Sequence, residues 1–176
     1  MLRLPLVRHP GTASTRHAVV PADEPAAEPL PDLNGWLGRS GTVVTSPARR
    51  CRIGCVPVDP RLRAWDLGDW TGRPLGDLDL VSWRTDPAFA GHGGESLLAL
   101  AERVRALLAD WHGDSGRLAV VTHAPVIKMA VVQALHAPVE TVWDLDVPPA
   151  SSTELHSTPS GWRVTRVSCR EGGTPA

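Results

Sequence analysis

The sequence contains no long hydrophobic run, only three cysteines and no export signal of the usual kind. Its longest apolar stretches lie around Leu118–Val121 and Ala130–Val132, far short of the roughly 20 residues needed to cross a bilayer. Cys51, Cys55 and Cys169 lack the second pair that a zinc site or a disulfide framework would need. The first residues lack the extended apolar core and small-residue cleavage site of a secretory signal. These absences favour a cytoplasmic protein without a membrane partner.

An excess of charge of either sign is also lacking. The 176 residues carry a formal net charge of −1, with 42% hydrophobic and 21% charged residues, which is typical of a globular protein. The length suits a single domain over residues 1–176. A nearly neutral chain has no general attraction to nucleic acid, so no nucleic-acid partner is predicted. Both a monomer and a homodimer remain open.

Lysine is almost absent, and the basic side chains that are present are arginines. Lys128 is the one lysine among 18 lysines and arginines. A guanidinium group binds oxyanions in a bidentate manner that an ammonium group cannot reproduce. Arginines placed in a pocket would therefore suit an anionic ligand.

The hydrophobic pattern predicts strands that alternate with helices. A helix is predicted over Ser96–Trp111, where apolar residues recur every three or four positions, and a second over Pro125–Leu135, where Pro125 suits a first turn. A short helix is predicted near Asp32–Leu37. The predicted strands are Arg3–Val7, Thr42–Thr45, Leu118–Thr122, Ser152–His156 and Trp162–Val167. This order predicts an α/β three-layer sandwich with a mainly parallel central sheet and a C-terminal edge hairpin.

Basic side chains follow three of these strands. The first strand ends in Arg8-His9, the second leads to Arg49-Arg50, and the third ends in Thr122-His123. Ligands of such sheets bind beyond the carboxyl ends of the strands, so these side chains are expected to converge. Two histidines and two arginines in one crevice would form a site for a doubly charged oxyanion.

The chemistry of this set suggests phosphoryl transfer. A neutral imidazole such as that of His9 is a competent nucleophile near neutral pH and can form a covalent intermediate. The guanidinium groups of Arg8 and Arg50 stay charged and can neutralise phosphate oxygens. A second, protonated imidazole at His123 could stabilise the transferring group. Backbone N–H groups at the following helix start would add donors.

Five ordered blocks resemble those of the histidine phosphatase superfamily, the phosphoglycerate-mutase-like group. Leu6–Thr12 resembles its RHG signature, with Pro10 in place of the usual glycine. Gly93–Ser96 resembles its GES block, and Val120–His123 the block with the second histidine. The remaining two are Thr45–Cys51, whose Arg50 follows the serine by four positions, and Leu62–Gly72. Among the members, the small-molecule phosphatases of the cobalamin pathway look most similar.

The resemblance implies a phosphohistidine mechanism without metal or cofactor. His9 would attack phosphorus, while Arg8, Arg50 and His123 hold the phosphate oxygens, and water would then hydrolyse the phosphohistidine. The partner would be a small phosphate ester or another anionic metabolite. Further candidates for substrate binding are Thr12, Glu95 and His92, although Thr12 also suits a loop, Glu95 a helix cap, and His92 a surface loop.

Aromatic residues of the Leu62–Gly72 block, which is the third block along the chain, have two interpretations. Trp65 and Trp70 suit either an aromatic wall for the organic part of a substrate or simple packing of the block onto the sheet. The sequence does not decide between them.

The customary proton donors of the family are missing. The third block usually carries a glutamate where this chain has Ala64, and another branch has an aspartate where it has Ala124. A positioned acid is worth about 10²–10⁴-fold in rate. Three explanations are open. Asp66 could replace the missing acid, or the substrate could have a good leaving group, such as an acyl or phenolic phosphate, that needs no acid. Alternatively, the chain could have left phosphatase chemistry. The alternative function is accordingly a repurposed enzyme or an anion-binding protein.

Overall fold

A computed structural model describes residues 1–30, 33 and 41–169. Within this part, five strands form one sheet in the order β2-β3-β1-β4-β5. The strands are β1 (Leu2–Arg8), β2 (Thr42–Thr45), β3 (Gly116–Thr122), β4 (Ser152–Thr158) and β5 (Gly161–Cys169). The helices are α1 (Ala13–His17), α2 (Leu80–Thr85), α3 (Leu97–Trp111) and α4 (Ala124–Ala134). The short helix predicted near Asp32–Leu37 lies outside the described residues, apart from Leu33.

The sheet is parallel where the site lies and antiparallel at one edge. Strands β2, β3 and β1 run parallel, so Val120 of β3 pairs with Leu6 on one side and Val44 on the other. Strand β4 is antiparallel to β1, and β5 is antiparallel to β4. The predicted α/β class and C-terminal hairpin are therefore confirmed, with each predicted strand within two residues of its observed limits.

The continuous apolar strands are explained by burial on both faces of the sheet. Successive side chains of a strand point to opposite faces. Leu6 and Val120 belong to the larger hydrophobic core, which contains the buried faces of α3 and α4. Val7 and Val121, the next residues along each strand, pack in a smaller cluster with Cys51 on the other face. Since both faces are covered there, Leu4–Val7 and Leu118–Val121 are apolar at every position.

The two predicted long helices form within a residue or two of the expected limits. Helix α3 begins where Ser96 Oγ accepts a hydrogen bond from the Ala99 N–H (3.1 Å), a standard N-cap. Helix α4 starts directly after His123, with Pro125 in its first turn. The sequence did not predict α1 and α2, because elements of five and six residues are too short for a hydrophobic period to show. No helix in the described ranges is long and apolar enough to cross a membrane.

Gly68 and Gly94 lie where the Leu62–Gly72 segment packs against the loop before α3. The Asp69 N–H donates to His92 O (2.8 Å), and the Glu95 N–H donates to Asp66 O (2.7 Å). A Cβ on Gly94 would lie 2.3 Å from Asp66 O and 2.7 Å from Gly68 N. Because these neighbours are backbone atoms, they cannot rotate away. The close approach of the two segments therefore requires glycine at position 94.

We expect Gly94→Ala to lower the free energy of unfolding by ~2–4 kcal/mol, since the added methyl group must push two hydrogen-bonded backbone segments apart. Urea denaturation followed by circular dichroism would measure the loss. Gly113→Ala is the matched control, because nothing lies within 4 Å of the Cβ position of Gly113, and its effect should stay within ~1 kcal/mol. Equal stability of the Gly94 and Gly113 variants would contradict the proposed steric role.

Candidate active site

The carboxyl ends of the three parallel strands bring the predicted residues together. His9 follows β1, His123 follows β3, and Arg50 lies in a 3-10 turn (Arg49–Cys51) after β2. The His9 N–H donates to Thr122 O (3.1 Å), and the Ser46 N–H donates to Val121 O (2.9 Å). The His9 and His123 rings meet edge to face, with centroids 5.0 Å apart. The predicted convergence is thus observed.

The His9 ring is held in one orientation and one protonation state. Its Nδ1 lies 2.6 Å from Pro10 O. A carbonyl oxygen only accepts hydrogen bonds, so Nδ1 carries the proton and Nε2 keeps its lone pair. Burial, with a smaller contribution from the charges of Arg50 and Arg8, lowers the pKa of His9 to about 4 against the opposing effect of the Pro10 carbonyl. His9 is therefore a neutral imidazole near neutral pH, as a nucleophile must be.

The guanidinium group of each arginine is held by one hydrogen bond to a backbone carbonyl and keeps other N–H donors unused. Arg8 Nη1 donates to Val147 O (2.5 Å), and Arg50 Nη1 donates to Ala22 O (2.8 Å). The Nε of each arginine is buried without a hydrogen-bond partner among the described residues. Burial lowers the pKa of Arg8, although a guanidinium remains charged at neutral pH. Two fixed positive charges with unused donors therefore flank His9.

His123 is also neutral, which differs from the protonated imidazole expected from the sequence. Its Nε2 lies 2.8 Å from Ser46 Oγ and 3.7 Å from Cys51 Sγ. Burial, and then the charge of Arg50, hold the pKa of His123 well below its usual range. In the free protein, His123 thus offers a neutral N–H donor rather than a charge.

Thr12 lies in the cavity wall and caps α1. Its side chain is almost fully buried, and its Oγ1 accepts a hydrogen bond from the Thr15 N–H (3.4 Å). Nearby, Glu24 accepts hydrogen bonds from the Ser14 N–H at 3.2 and 3.4 Å. Burial raises the pKa of Glu24, but hydrogen bonds from Thr12 and Ser14 lower it more. Glu24 also acts electrostatically on His9, a proximity that the sequence, with Glu24 in a proline-rich stretch, did not indicate.

A cavity of about 160 Å³ opens beside His9. Its polar end is formed by Arg8, His9, Thr12, Arg50 and His123. The remaining lining residues are apolar side chains and two threonines: Thr15, Val20, Pro21, Ala64, Trp65, Leu67, Thr71, Trp83, Ala124 and Pro125.

The tryptophans divide between the cavity wall and the interior. Trp65 lines the cavity, whereas Trp70 packs behind it against Trp83 and Phe89. Trp83 of α2 also lines the cavity, with its ring centroid 4.9 Å from that of Trp65. No sequence pattern placed Trp83 at the site; it reaches the cavity because α2 packs beside it.

Asp66 and Glu95 do not line the cavity, in contrast to their prediction as site residues. Asp66 Oδ1 accepts a hydrogen bond from the Gly68 N–H (3.0 Å) and belongs to a turn. Glu95 is buried between two arginines, 2.6 Å from Arg103 and 3.2 Å from Arg63. These partners satisfy both carboxylates within the protein. Neither carboxylate lies in the cavity wall, so their roles as proton donor (Asp66) and substrate ligand (Glu95) stay predictions.

His92 is likewise absent from the cavity wall. It is buried, and its Nδ1 accepts a hydrogen bond from the Gly94 N–H (3.0 Å). Its ring packs against Trp70, with centroids 4.9 Å apart. His92 thus lies in a packed turn rather than in a surface loop, and its contact with a substrate stays a prediction.

A larger groove of about 930 Å³ lies between α3, the end of α4 and the C-terminal hairpin. None of the predicted site residues lines it, so volume alone does not locate the chemistry. Among residues 1–30, 33 and 41–169, no group of three or more His, Cys, Asp or Glu side chains is placed to hold a metal ion.

Comparison with known proteins identifies the family. The family model of the histidine phosphatase superfamily (branch 1) matches residues 39–170. The chain belongs to the histidine phosphatase superfamily. The blocks that carry the resemblance in the sequence are the segments that meet at the cavity or, for the GES block, support its wall.

The chain is similar in sequence and in structure to glucosyl-3-phosphoglycerate phosphatases. A glucosyl-3-phosphoglycerate phosphatase of Mycobacterium tuberculosis is 43% identical over 61 residues, which are 31% of this chain and 27% of the relative. The chain therefore matches about a quarter of that relative's length. A solved structure of mycobacterial glucosyl-3-phosphoglycerate phosphatase with VO3 has 26% identity and a TM-score of 0.74, covering 93% of this chain and 96% of that chain.

A solved alpha-ribazole phosphatase shares the fold. The alpha-ribazole phosphatase of Shigella flexneri superposes with a TM-score of 0.76 at 21% identity, covering 99% of this chain and 100% of that chain. At this identity the likeness concerns the fold alone.

Proposed function

We propose that the protein hydrolyses a small phosphate monoester through a phosphohistidine intermediate on His9. One observation carries the proposal: the Nδ1–H of His9 is fixed on Pro10 O, which leaves the Nε2 lone pair of a neutral ring in a cavity flanked by Arg8 and Arg50. A nucleophile held beside two fixed cations suits attack on a phosphate dianion.

The first step would form the N–P bond. The Nε2 lone pair of His9 attacks phosphorus as the bond between phosphorus and the ester oxygen breaks, and that oxygen leaves with the electron pair. Charge on the transferring group is held by Arg8 and Arg50, with an N–H of His123 as a neutral donor. The Nδ1–H of His9, which remains on Pro10 O, stabilises the positive charge that develops on the ring.

The second step would return the free enzyme. A water oxygen attacks the phosphorus of phospho-His9, the N–P bond breaks, and its electrons return to Nε2. The proton released by the attacking water leaves on the phosphate product or to solvent. Because the pKa of His9 is low, the freed ring is ready for another attack without first losing a proton.

The direct test is to trap the intermediate. After rapid mixing with radiolabelled p-nitrophenyl phosphate and a quench in alkali, we expect label on the protein that is stable to alkali and labile to acid, as a phosphoramidate is. Mass spectrometry should place the phosphate on the peptide that contains His9. A His17→Ala variant, altered at an exposed histidine of the same segment, should label normally.

Two results would contradict the proposal. Label on a residue other than His9 would refute the phospho-His9 intermediate. Binding of phosphate without turnover of any ester would favour the alternative of an anion-binding protein or a repurposed enzyme, which the alanine at position 64 leaves open.

We further propose that the protein acts in a reducing compartment, consistent with the expected cytoplasmic location, since Cys51, Cys55 and Cys169 are all free thiols. Its partner would be a soluble phosphorylated metabolite rather than a nucleic acid. The domain would comprise residues 1–176 and act as a monomer or a homodimer.

A further inference from the structure

The cavity beyond the phosphate-binding end is apolar and small. Its wall there is formed mainly by Val20, Ala64, Trp65, Leu67, Trp83 and Pro125. The whole cavity, with its phosphate-binding end, has a volume of about 160 Å³, below the 300–1,000 Å³ usual for ligand pockets. An organic group the size of one ring matches these dimensions and this lining, whereas a polyhydroxylated or charged group would lose its water contacts without replacement.

The lining residues near His9 are poor proton donors. The guanidinium groups of Arg8 and Arg50 do not deprotonate in proteins, and a threonine hydroxyl is a far weaker acid than a carboxyl group. His123 directs Nε2 to Ser46 Oγ (2.8 Å), and burial keeps its pKa well below the usual range. Ala64 and Ala124 place methyl groups in the wall. Among the described lining residues, none is a carboxylic acid.

The carboxylates of Glu24 and Asp66 are held by hydrogen bonds within the protein. Glu24 is held by the Ser14 N–H and by Thr12, and its lowered pKa makes it an anion without a proton to give. Asp66 accepts a hydrogen bond from the Gly68 N–H and does not line the cavity. A leaving oxygen that departs from phosphorus therefore meets apolar walls and leaves as an anion.

We propose that the substrates are aryl phosphates with a single compact ring, whose phenolate leaves without being protonated. The inference rests on the proposed phosphatase function and names its substrate class. The Nε2 lone pair of His9 forms the N–P bond, the P–O bond breaks, and the phenolate oxygen keeps the electron pair until water protonates it outside the site. Trp65 and Trp83 supply the aromatic surface against which the ring packs.

A matched pair of substrates tests the proposal. Phenyl phosphate and benzyl phosphate carry the same ring, but phenolate is a far better leaving group than benzyl alkoxide. The constant kcat/KM covers the steps up to loss of the leaving group, so it reports P–O cleavage. We expect benzyl phosphate to be slower by about 10²–10⁴-fold, the usual value of a general acid, and substituted phenyl phosphates to become faster as the phenol becomes more acidic.

Variants of the wall sharpen the test. Ala64→Glu adds a proton donor beside the cavity and should raise the ratio of benzyl to phenyl turnover at least ~10-fold. Ala64→Gln adds the same bulk without a proton donor and should leave that ratio unchanged. Glu24→Gln should also leave the ratio unchanged, whatever it does to the absolute rates, because Glu24 is not the donor.

The outcomes separate the two proposals. If the wild type cleaves benzyl phosphate within a few-fold of phenyl phosphate, a proton donor is present and the substrate inference is overturned. A fall in that ratio in Glu24→Gln or Asp66→Ala would overturn it too and would identify the donor. If no aryl phosphate is turned over while another phosphate monoester is, the substrate inference alone fails. If no monoester is turned over, or if turnover persists without His9, the phosphohistidine function itself fails.

Discussion

His9→Ala is expected to reduce kcat/KM for p-nitrophenyl phosphate by about 10⁴-fold or more, the scale seen when a covalent nucleophile is removed. Alanine leaves Arg8, Arg50 and His123 in place, so phosphate should still bind. The loss should therefore fall on kcat rather than on binding. Steady-state kinetics of the purified variant, together with phosphate binding measured by calorimetry, would separate the two effects.

The control for this prediction is a histidine of the same segment. His17 is exposed at the end of α1, and His17→Ala should retain the kinetics of the wild type. Because the side-chain hydrogen bond of His9 is to its own neighbour, Pro10, His9→Ala should keep its circular dichroism spectrum. A folded His9→Ala variant with wild-type turnover would exclude a phospho-His9 mechanism.

Arg50→Ala is expected to lower kcat/KM by about 10²–10³-fold, the usual effect of removing one preorganised donor to a developing anion. Arg50 is only 5% exposed, and its buried Nε has no partner among the described residues. Without this cation, the phosphate keeps its charge in a site that water cannot easily reach. Arg50→Lys, which preserves charge but not the planar donor set, should recover part of the loss.

The adjacent Arg49 provides the matched control. Its side chain is exposed, and its backbone N–H, which donates to Asp23 (2.8 Å), is unaffected by substitution. Arg49→Ala should therefore keep kcat/KM within about twofold of the wild type. Equal losses in the two variants would indicate a general effect of charge on the site rather than a specific contact by Arg50. A thermal melt of each variant would show whether the fold is preserved.

Parts of the fold could be predicted because their causes are local. The hydrophobic pattern indicated β1 and β3 as strands, and the recurrence of apolar residues every three or four positions indicated the helix α3. The rule that ligands bind at the carboxyl ends of parallel strands then placed His9, Arg50 and His123 together. That placement required only the order of the strands and the residue after each one.

Other parts of the site depend on contacts between segments distant in the sequence. Ser46 and His123 are 77 positions apart, yet they share a hydrogen bond. Arg8 is anchored by the carbonyl of Val147 and Arg50 by that of Ala22. Every residue, proline included, carries a backbone carbonyl, so the sequence contains no signal for these contacts. The approach of Glu24 to His9 also depends on the path of the chain, and the sequence did not predict it.

The predicted site and the cavity wall differ for one reason. Asp66 and Glu95 lie in blocks shared with the family, but their carboxylates have partners inside the protein, and the ring of His92 packs against Trp70. Trp83, which no sequence pattern placed at the site, lines the cavity. Whether a side chain faces a ligand or a neighbour depends on the path of the loops, and loop paths follow from packing rather than from residue type.

The sequence alone determined that β1, β2 and β3 would deliver two histidines and two arginines to one edge of a parallel sheet, because strand periodicity and strand-end position are local properties. Only the tertiary structure decided the tautomer of His9, the neutral state of His123 and the apolar wall at Ala64. Each of these depends on burial and on partners far away in the chain. The sequence therefore specified the phosphate-binding end of the cavity, and the three-dimensional packing specified which side chains surround the leaving group.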